Sequence, residues 1–482
     1  MSAAVLIQTT ILRRILQALL TSFLLLTGTI HSHAAATEDS SATRPVGSIP
    51  PTAEAFQITV LATSLSEPIQ LSPAADGRVY FAERTGTIKV WQPTTQITVT
   101  LGRLTPQTNL ESGVLGLALD PGFLTNHWLY LFHSTPGVFE NRVSRFSVNG
   151  DALDLASQKI LLHIPTEHRG VNHLGGGLGF DQAGNLYASV GDNTIIDSSD
   201  GYSPMDERPD RQLWDSQRTA ANTRELRGKI LRIQPQPDGT YTIPPGNLFP
   251  ADGSQGLPEI YLMGVRNPFR FTIDPKTSWL YFGDVGPDAN EMNPRRGPVG
   301  LDEFNQARKA GNFGWPYFLG DNRPYVKYDF ATKVSGEPFD PAHPVNHSTN
   351  NTGLHALPPA EPAMIYYPYG LSARFPGLGS GARSAMAGPV YHFDPQLKSD
   401  RKLPAYYDNC WFIFDWERGW INAARLDANG KLLKIEPFLP LHKFKRPISL
   451  ALALDGALYL LEWGSNWYHN LDSQLVRIES RK

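Results

Sequence analysis

A single cysteine, Cys410, stands in a chain of 482 residues. No disulfide can form within one chain, and a covalently attached c-type haem, which needs Cys-x-x-Cys-His, is excluded. Any electrons such a protein removes from a substrate must therefore leave for a separate partner. There is also no basic block: 43 Lys and Arg face 46 Asp and Glu, and an acidic balance repels a phosphate backbone. Nucleic acid is set aside as a partner. Long helical periodicity is scarce, which argues against an α-rich fold. No apolar run reaches the roughly 20 residues that carry a helix across a bilayer.

What is present begins with a leader-like segment. Arg13 and Arg14 precede an apolar run from Ile15 to Leu26 that fades through Ile30, and Ala34, Ala35 and Ala36 supply a small-residue cleavage pattern. That order predicts a secretory signal peptide over residues 1–36, hence a periplasmic or secreted protein with no membrane span after cleavage. Residues 37–55, TEDSSATRPVGSIPPTAEA, are polar and proline-rich and predict a flexible linker. Removing residues 1–36 takes away two arginines and no acids, so the net charge moves from −3 to −5.

Glycine (42) and proline (39) are plentiful and aromatics reach 11 %, a composition suited to many short strands joined by tight turns. Between residues 56 and 482 one pattern recurs: an apolar strand, a turn of Asp, Gly or Asn, then a strand opening on an aromatic. Copies centre on Tyr80, Tyr130, Tyr187, Tyr281 and Tyr459, with a weaker one at Phe412. The turn residues bend the chain, and alternating apolar residues on both sides face a shared core. A four-stranded blade takes roughly 40–50 residues, close to the intervals from Tyr80 to Tyr130 and from Tyr130 to Tyr187. The expected fold is all-β, a six-bladed β-propeller, with seven blades or a pair of sandwiches as alternatives. The longer intervals predict loop insertions near 196–228 and 290–385.

Five clusters carry residue types suited to chemistry. Asn172-His173-Leu174 runs into three glycines; a histidine there leaves room for a ligand and can act as a base near neutral pH, although a structural histidine is the simpler reading. Arg266-Asn267-Pro268 aims a planar cation and an amide from one turn, suited to oxyanions, quinone oxygens or a structural ion pair. The turn from Gly283 to Asp288 exposes carbonyls that suit a hard cation such as Ca²⁺, or merely ends a strand. Asp302-Glu303 with the stretch Gly311 to Tyr317 offers aromatics for a sugar platform or for sealing a loop. Arg383, and later Lys445-Arg446, bring positive charge onto loops, where a solvated arginine is the common explanation. Asp192, Asp197 and Asp200 read as a solvated acidic loop rather than a cation site.

Taken in order, these clusters resemble the glucose/sorbosone dehydrogenase family, soluble quinoproteins that use pyrroloquinoline quinone (PQQ) and Ca²⁺. The resemblance rests on Glu111-Ser112-Gly113-Val114-Leu115-Gly116 with Asp120-Pro121, His173 and its glycines, Arg227 to Ile233, Arg266-Asn267-Pro268, Gly286-Pro287 and Gly311 to Pro316. It implies the same six-bladed propeller. It also implies an oxidoreductase that converts an aldose at its anomeric hydroxyl to the lactone and passes electrons to an external acceptor, a cytochrome or a quinone. Carried over by position, His173 would be the general base and Arg266 would polarise the quinone oxygen. Glu111, Asn172, Asn267, Arg383 and Arg446 would hold the cofactor, and the carbonyls of Gly286 and Pro287 would hold Ca²⁺.

Three positions depart from the family pattern. Glu111 stands where the well-known glucose oxidisers have glutamine, and Asn172 where they have aspartate. Glu417 takes a lysine position, an anion facing a tricarboxylate cofactor, for which Arg383 and Arg446 are the compensating cations. That exchange keeps a second function in view, a non-catalytic propeller binding carbohydrate through Trp315, Tyr317, Tyr366, Tyr367, Tyr369, Trp420, Trp463 and Trp467. A lactone hydrolase on the same fold has the least support, for want of a carboxylate cage for its metal.

Overall fold

Each copy of the repeat opens a blade. In the computed structural model, which describes residues 49–167 and 172–481, Tyr80, Tyr130, Tyr187, Tyr281, Phe412 and Tyr459 all lie on the second strand of a four-stranded antiparallel unit. All six rings are 2 % exposed or less. The first blade runs through Pro68–Pro73, Val79–Glu83, Thr87–Gln92 and Ile97–Arg103. The second uses Val114–Leu119, Trp128–Ser134, Glu140–Asn149 and Ala152–Pro165. The third uses Leu178–Phe180, Leu186–Val190, Lys229–Pro235 and Ile260–Met263, with Gly311–Asn312 added in parallel at its edge. The fourth is Arg270–Ile273, Leu280–Asp284, Asp302–Ala307 and Ile365–Tyr367, and the fifth Ala385–Tyr391, Cys410–Asp415, Trp420–Leu426 and Leu432–Phe438.

The sixth blade closes the ring with strands from both ends of the propeller. Pro447–Leu452, Leu458–Glu462 and Gln474–Ser480 supply three strands, and Phe56–Thr63 pairs antiparallel outside them, Phe56 opposite Ser480 and Thr63 opposite Gln474. Closure of this kind joins the first and last blades and leaves only short outer edges unpaired. Second strands such as Val79–Glu83 and Cys410–Asp415 are buried at every position, whereas outer strands alternate with solvent. Neighbouring blades interlock through aromatics: Tyr281 of the fourth lies 4.9 Å from Trp411 of the fifth, and Phe56 of the sixth 5.4 Å from Phe438 of the fifth. Each such fully buried ring contributes roughly 1.5–3 kcal/mol by leaving water.

The expected signal peptide (1–36) and residues 37–48 of the expected linker lie outside the described residues. The last residues of that linker are not free: Ala53–Ala55 form one 3-10 turn, and the Ala55 carbonyl accepts from Arg481 N at 2.8 Å. The insertion expected near 196–228 lies between the second and third strands of the third blade. The one expected over 290–385 is interrupted, because Asp302–Ala307 and Ile365–Tyr367 cross it as strands of the fourth blade. The polar start of Asp302-Glu303 hid that strand in the sequence; Phe304, buried between stacked Tyr367 and Trp411, holds it in the sheet. Residues 308–364 buttress the first insertion: Asn346 Nδ2 donates to the carbonyls of Gln217 and Ala221, and Ser348 Oγ to Asp215.

Candidate functional site

Antiparallel pairing puts the start of a blade's first strand beside the end of its second. Register shows this directly, with Arg270 opposite Gly283 and Pro447 opposite Glu462. Glu111, His173, Arg266, Arg383 and Arg446 each precede a first strand, while Asp192, Gly286 and Glu417 each follow a second. Residues scattered over more than 300 positions therefore gather at one end of the ring. There they surround a cavity of about 530 Å³ that takes residues from all six blades, from Ile69 of the first to Trp463 of the sixth. Of the residues expected at the site, Glu111, Asn172, His173, Arg266, Asn267, Gly286 and Arg383 line it; Pro287 and Arg446 do not.

His173 is 5 % exposed and sits at φ 54°, a left-handed conformation that the following glycines accommodate. At Gly176 (φ 106°) a Cβ would lie 2.3 Å from Leu115 Cβ, so the loop can pack on the second blade only without a side chain there. The loop is also tied from both sides. Asn267 Oδ1 accepts from Gly175 N at 3.0 Å, and Glu111 Oε2 from Leu174 N at 3.2 Å. Both residues thus support the histidine loop as well as facing the cavity.

Asp192 lies 2.8 Å from His173 Nδ1 and is fully buried. Its oxygens also accept from Thr194 N (3.1 Å), Trp315 Nε1 (2.7 Å) and Ser216 Oγ (2.9 Å). Burial opposes its charge, but His173, by proximity and hydrogen bond, then Arg266 and Trp315, outweigh that and hold the carboxyl below its ordinary range. An ionised carboxylate only accepts, so Nδ1 carries the hydrogen, and in the neutral ring Nε2 has the lone pair. Asp192 and Trp315 thus occupy places other than those expected of them, and Ser216 is a partner of Asp192 that the linear pattern did not single out. Asp192 read as part of a solvated loop; only Asp197 and Asp200 keep exposed side chains, bonded to Trp214 and Arg296.

Arg266 is braced from below. Its backbone N donates to Asp284 Oδ2 at 2.9 Å, that of Asn267 to Asp284 Oδ1 at 2.6 Å, and Arg266 Nη1 to the Val285 carbonyl at 2.8 Å. Asp284 faces Glu303 across the sheet, both deeply buried. Burial pushes Asp284 up to about 7, and burial together with the charge of Asp284 pushes Glu303 up to about 8.

Among cavity-lining residues, the buried polar atoms without a partner are Arg266 Nε, Arg383 Nε and Trp416 Nε1, all hydrogen-bond donors. Arg266 and Arg383 on the cavity wall suit a planar, acceptor-rich anion. The same geometry bears on calcium. Arg383 Nη2 donates to the Pro287 carbonyl at 2.5 Å, and its Nη1 pairs with buried Asp302, which also accepts from Gly286 N at 2.9 Å. A divalent ion on that oxygen would have to displace the N–H that already occupies it and stand against the guanidinium. Calcium does not fit beside Arg383 in this arrangement, and among the described residues no three His, Cys, Asp or Glu side chains are grouped to hold a metal.

The far rim is built differently. Glu417 meets Arg446 at 3.4 Å, and Arg446 lies over the Trp416 ring, 5.0 Å from its centroid, while Nη1 reaches the Ser465 carbonyl. The anion at the lysine position therefore has a cation of its own. Of the aromatics considered as a sugar platform, Tyr369, Trp463 and Trp467 line the cavity. Trp315, Tyr317, Tyr366 and Tyr367 are core residues, 3 % exposed or less, and Trp420 packs near Phe304 and Tyr367. Cys410 is buried on a second strand, its thiol pushed up to about 12 by burial.

Comparison with known proteins agrees with this architecture. The family described as Glucose / Sorbosone dehydrogenase matches residues 65–355. Aldose sugar dehydrogenase YliI of Escherichia coli is 26 % identical over 265 residues, 54 % of this chain and 61 % of that protein. Quinoprotein glucose dehydrogenase B of Acinetobacter calcoaceticus is 24 % identical over 334 residues, 64 % of each chain. The matched stretches thus span under two thirds of these relatives. The PQQ-bound form of an aldose sugar dehydrogenase from Streptomyces coelicolor superposes with a TM-score of 0.57 at 19 % identity, covering 90 % of this chain and all of that one, a likeness of fold. With the family pattern running from the first blade into the insertion behind Trp315, the chain belongs to the glucose/sorbosone dehydrogenase family.

Proposed function

We propose that this protein is a quinoprotein sugar dehydrogenase that binds PQQ in the six-blade cavity. It oxidises an aldose at the anomeric hydroxyl to the lactone and delivers the electrons to an external acceptor, a cytochrome or a quinone. The observation that carries this reading is His173, held by the buried Asp192, on the wall of a cavity that Arg266 and Arg383 also line. PQQ, when bound, supplies the two-electron sink that no side chain here provides.

The chain's own residues account for the rest. His173 Nε2 takes the hydroxyl proton as the anomeric carbon becomes a carbonyl. Asp192 holds the ring in the tautomer that leaves Nε2 free and stabilises the imidazolium that results. Trp315, Ser216 and Thr194 fix Asp192, so little reorganisation accompanies proton transfer. Arg266, anchored by Val285 and Asp284, presents a positive charge toward negative charge developing at the cofactor face. Asn267 and Glu111 keep the histidine loop in place. Calcium enters none of these steps.

The same reading places the protein in the periplasm or outside the cell, on the strength of the expected signal at residues 1–36. No helix among the described residues is long and apolar enough to cross a membrane. Reduction of an artificial electron-acceptor dye by the purified protein with an aldose panel, with and without PQQ, tests the reading. Turnover appearing only with PQQ is expected. His173→Ala should lower it by about 10²–10⁴-fold, the usual range for a lost general base, with the fold intact by circular dichroism. A folded wild type that binds no PQQ and reduces no dye, with or without added Ca²⁺, would overturn the proposal.

A further inference from the structure

We propose that Arg383 is the resident cation of this site, standing on the Pro287 carbonyl where the family resemblance places a divalent ion, so that the anionic quinone is bound without a divalent metal. The inference rests on the functional reading above for the identity of the ligand. Four observations support it.

The first is contact. Arg383 Nη2 donates to the Pro287 carbonyl at 2.5 Å, so the oxygen expected to ligate a metal already serves a cation. The second is permanence. The Arg383 side chain is 1 % exposed and paired through Nη1 with Asp302, itself fully buried. Asp302 also accepts from Gly286 N and Ala385 N, so one carboxylate fixes the guanidinium and both loops that flank it. A mobile surface arginine would show none of this. The Tyr369 ring covers the guanidinium, 4.2 Å from its centroid, and its hydroxyl donates to Asp288.

The third observation is position: Arg383 lines the cavity, so its charge stands in the wall that a ligand would meet. The fourth is backbone space. A Cβ at Gly286 would lie 1.6 Å from the Leu301 carbonyl, and one at Gly300 would lie 1.8 Å from the Pro287 carbonyl and 2.9 Å from Arg383 Nη2. Both positions accept glycine alone, so the loop and the guanidinium pack as one unit. A guanidinium recognises a carboxylate or quinone oxygen by directed N–H bonds, and unlike a metal it cannot be removed by a chelator.

The test is titration of PQQ into the purified protein, followed by tryptophan fluorescence quenching and calorimetry, in strong chelator and in excess Ca²⁺. The wild type should bind within about twofold equally in both, and Ca²⁺ titrated alone should give no heat at a stoichiometric site. Arg383→Ala should lose about tenfold or more in chelator and regain affinity with Ca²⁺, because the freed carbonyl of Pro287 becomes available to a metal. Arg383→Lys, which keeps the charge, guards against a loss that is only one of folding and should remain insensitive to chelator. Wild-type binding that requires Ca²⁺ overturns this inference while leaving the functional reading intact. So does an alanine variant that folds and binds as tightly as wild type in chelator. No PQQ binding in either condition sinks the functional reading and this inference together.

Discussion

The two sides of the cavity solve the problem of a charged site in opposite ways. On the His173 side, Asp192 is fully buried and its two oxygens accept from His173, Thr194, Trp315 and Ser216. On the far rim, Glu417 and Arg446 keep 11 % and 19 % of their side-chain surface and meet at 3.4 Å. A buried carboxylate is tolerable only when its lone pairs are engaged, and that same engagement makes it rigid. A pair nearer to water needs no such network and imposes no geometry. The difference teaches where precision is needed: at the histidine proposed to accept the proton, and not at the mouth.

The sharpest way to break this comparison is Asp192→Asn. It keeps the volume but cannot stabilise an imidazolium, and its amide would face the Trp315 and Ser216 donors. Turnover should fall by about 10²–10⁴-fold, measured as kcat with PQQ saturating, and the melting temperature should fall as well. Trp315→Phe comes next. It removes one donor from Asp192 without touching the cavity lining and should destabilise by about 1–3 kcal/mol in a denaturant titration.

Glu303→Gln sharpens the contrast by pH. Asp284 and Glu303 have raised values, about 7 and about 8 against ordinary 3.8 and 4.5, so folding takes up protons. Their contribution to stability is full below the ordinary values and is lost as pH rises through 7 and 8. The wild-type melting temperature should lose this contribution from about pH 4 to pH 8, and Glu303→Gln should shrink that loss. A variant with an unchanged slope would remove the pair from the account. Glu417→Gln should do least. Arg446 keeps the Ser465 carbonyl, so stability should change by about 1 kcal/mol or less, with PQQ binding somewhat tighter for the loss of an anion. If it destabilised as much as Trp315→Phe, the two sides would not differ as described.

The ring of blades was legible because its determinants are local. A turn residue and an alternating strand act over a few positions, so all six aromatics identified from the repeat fall on second strands. The strand Asp302–Ala307 was not legible, since its polar first residues face a buried sheet edge that exists only once Leu280–Asp284 is beside it. At the site, His173, Arg266 and Asn267 were visible as residues near glycine or proline turns. Asp192 was not, because an aspartate in a polar loop reads the same whether it meets water or an imidazole. The aromatics of residues 315–367 misled in the other direction: an exposed platform and a loop core share one composition, and burial alone separates them.

The sequence by itself determined that the chain is a β-propeller with a motif-bearing end, because hairpin chemistry and apolar alternation are properties of neighbouring residues. Tertiary structure alone decided which charges meet. His173 and Asp192 are 19 positions apart, Arg383 and Pro287 96, and Trp315 and Asp192 123. The first comes from antiparallel pairing within the third blade, the second from packing of the fifth blade on the fourth, and the third from the insertion folding back over the third blade, and no local preference encodes any of the three.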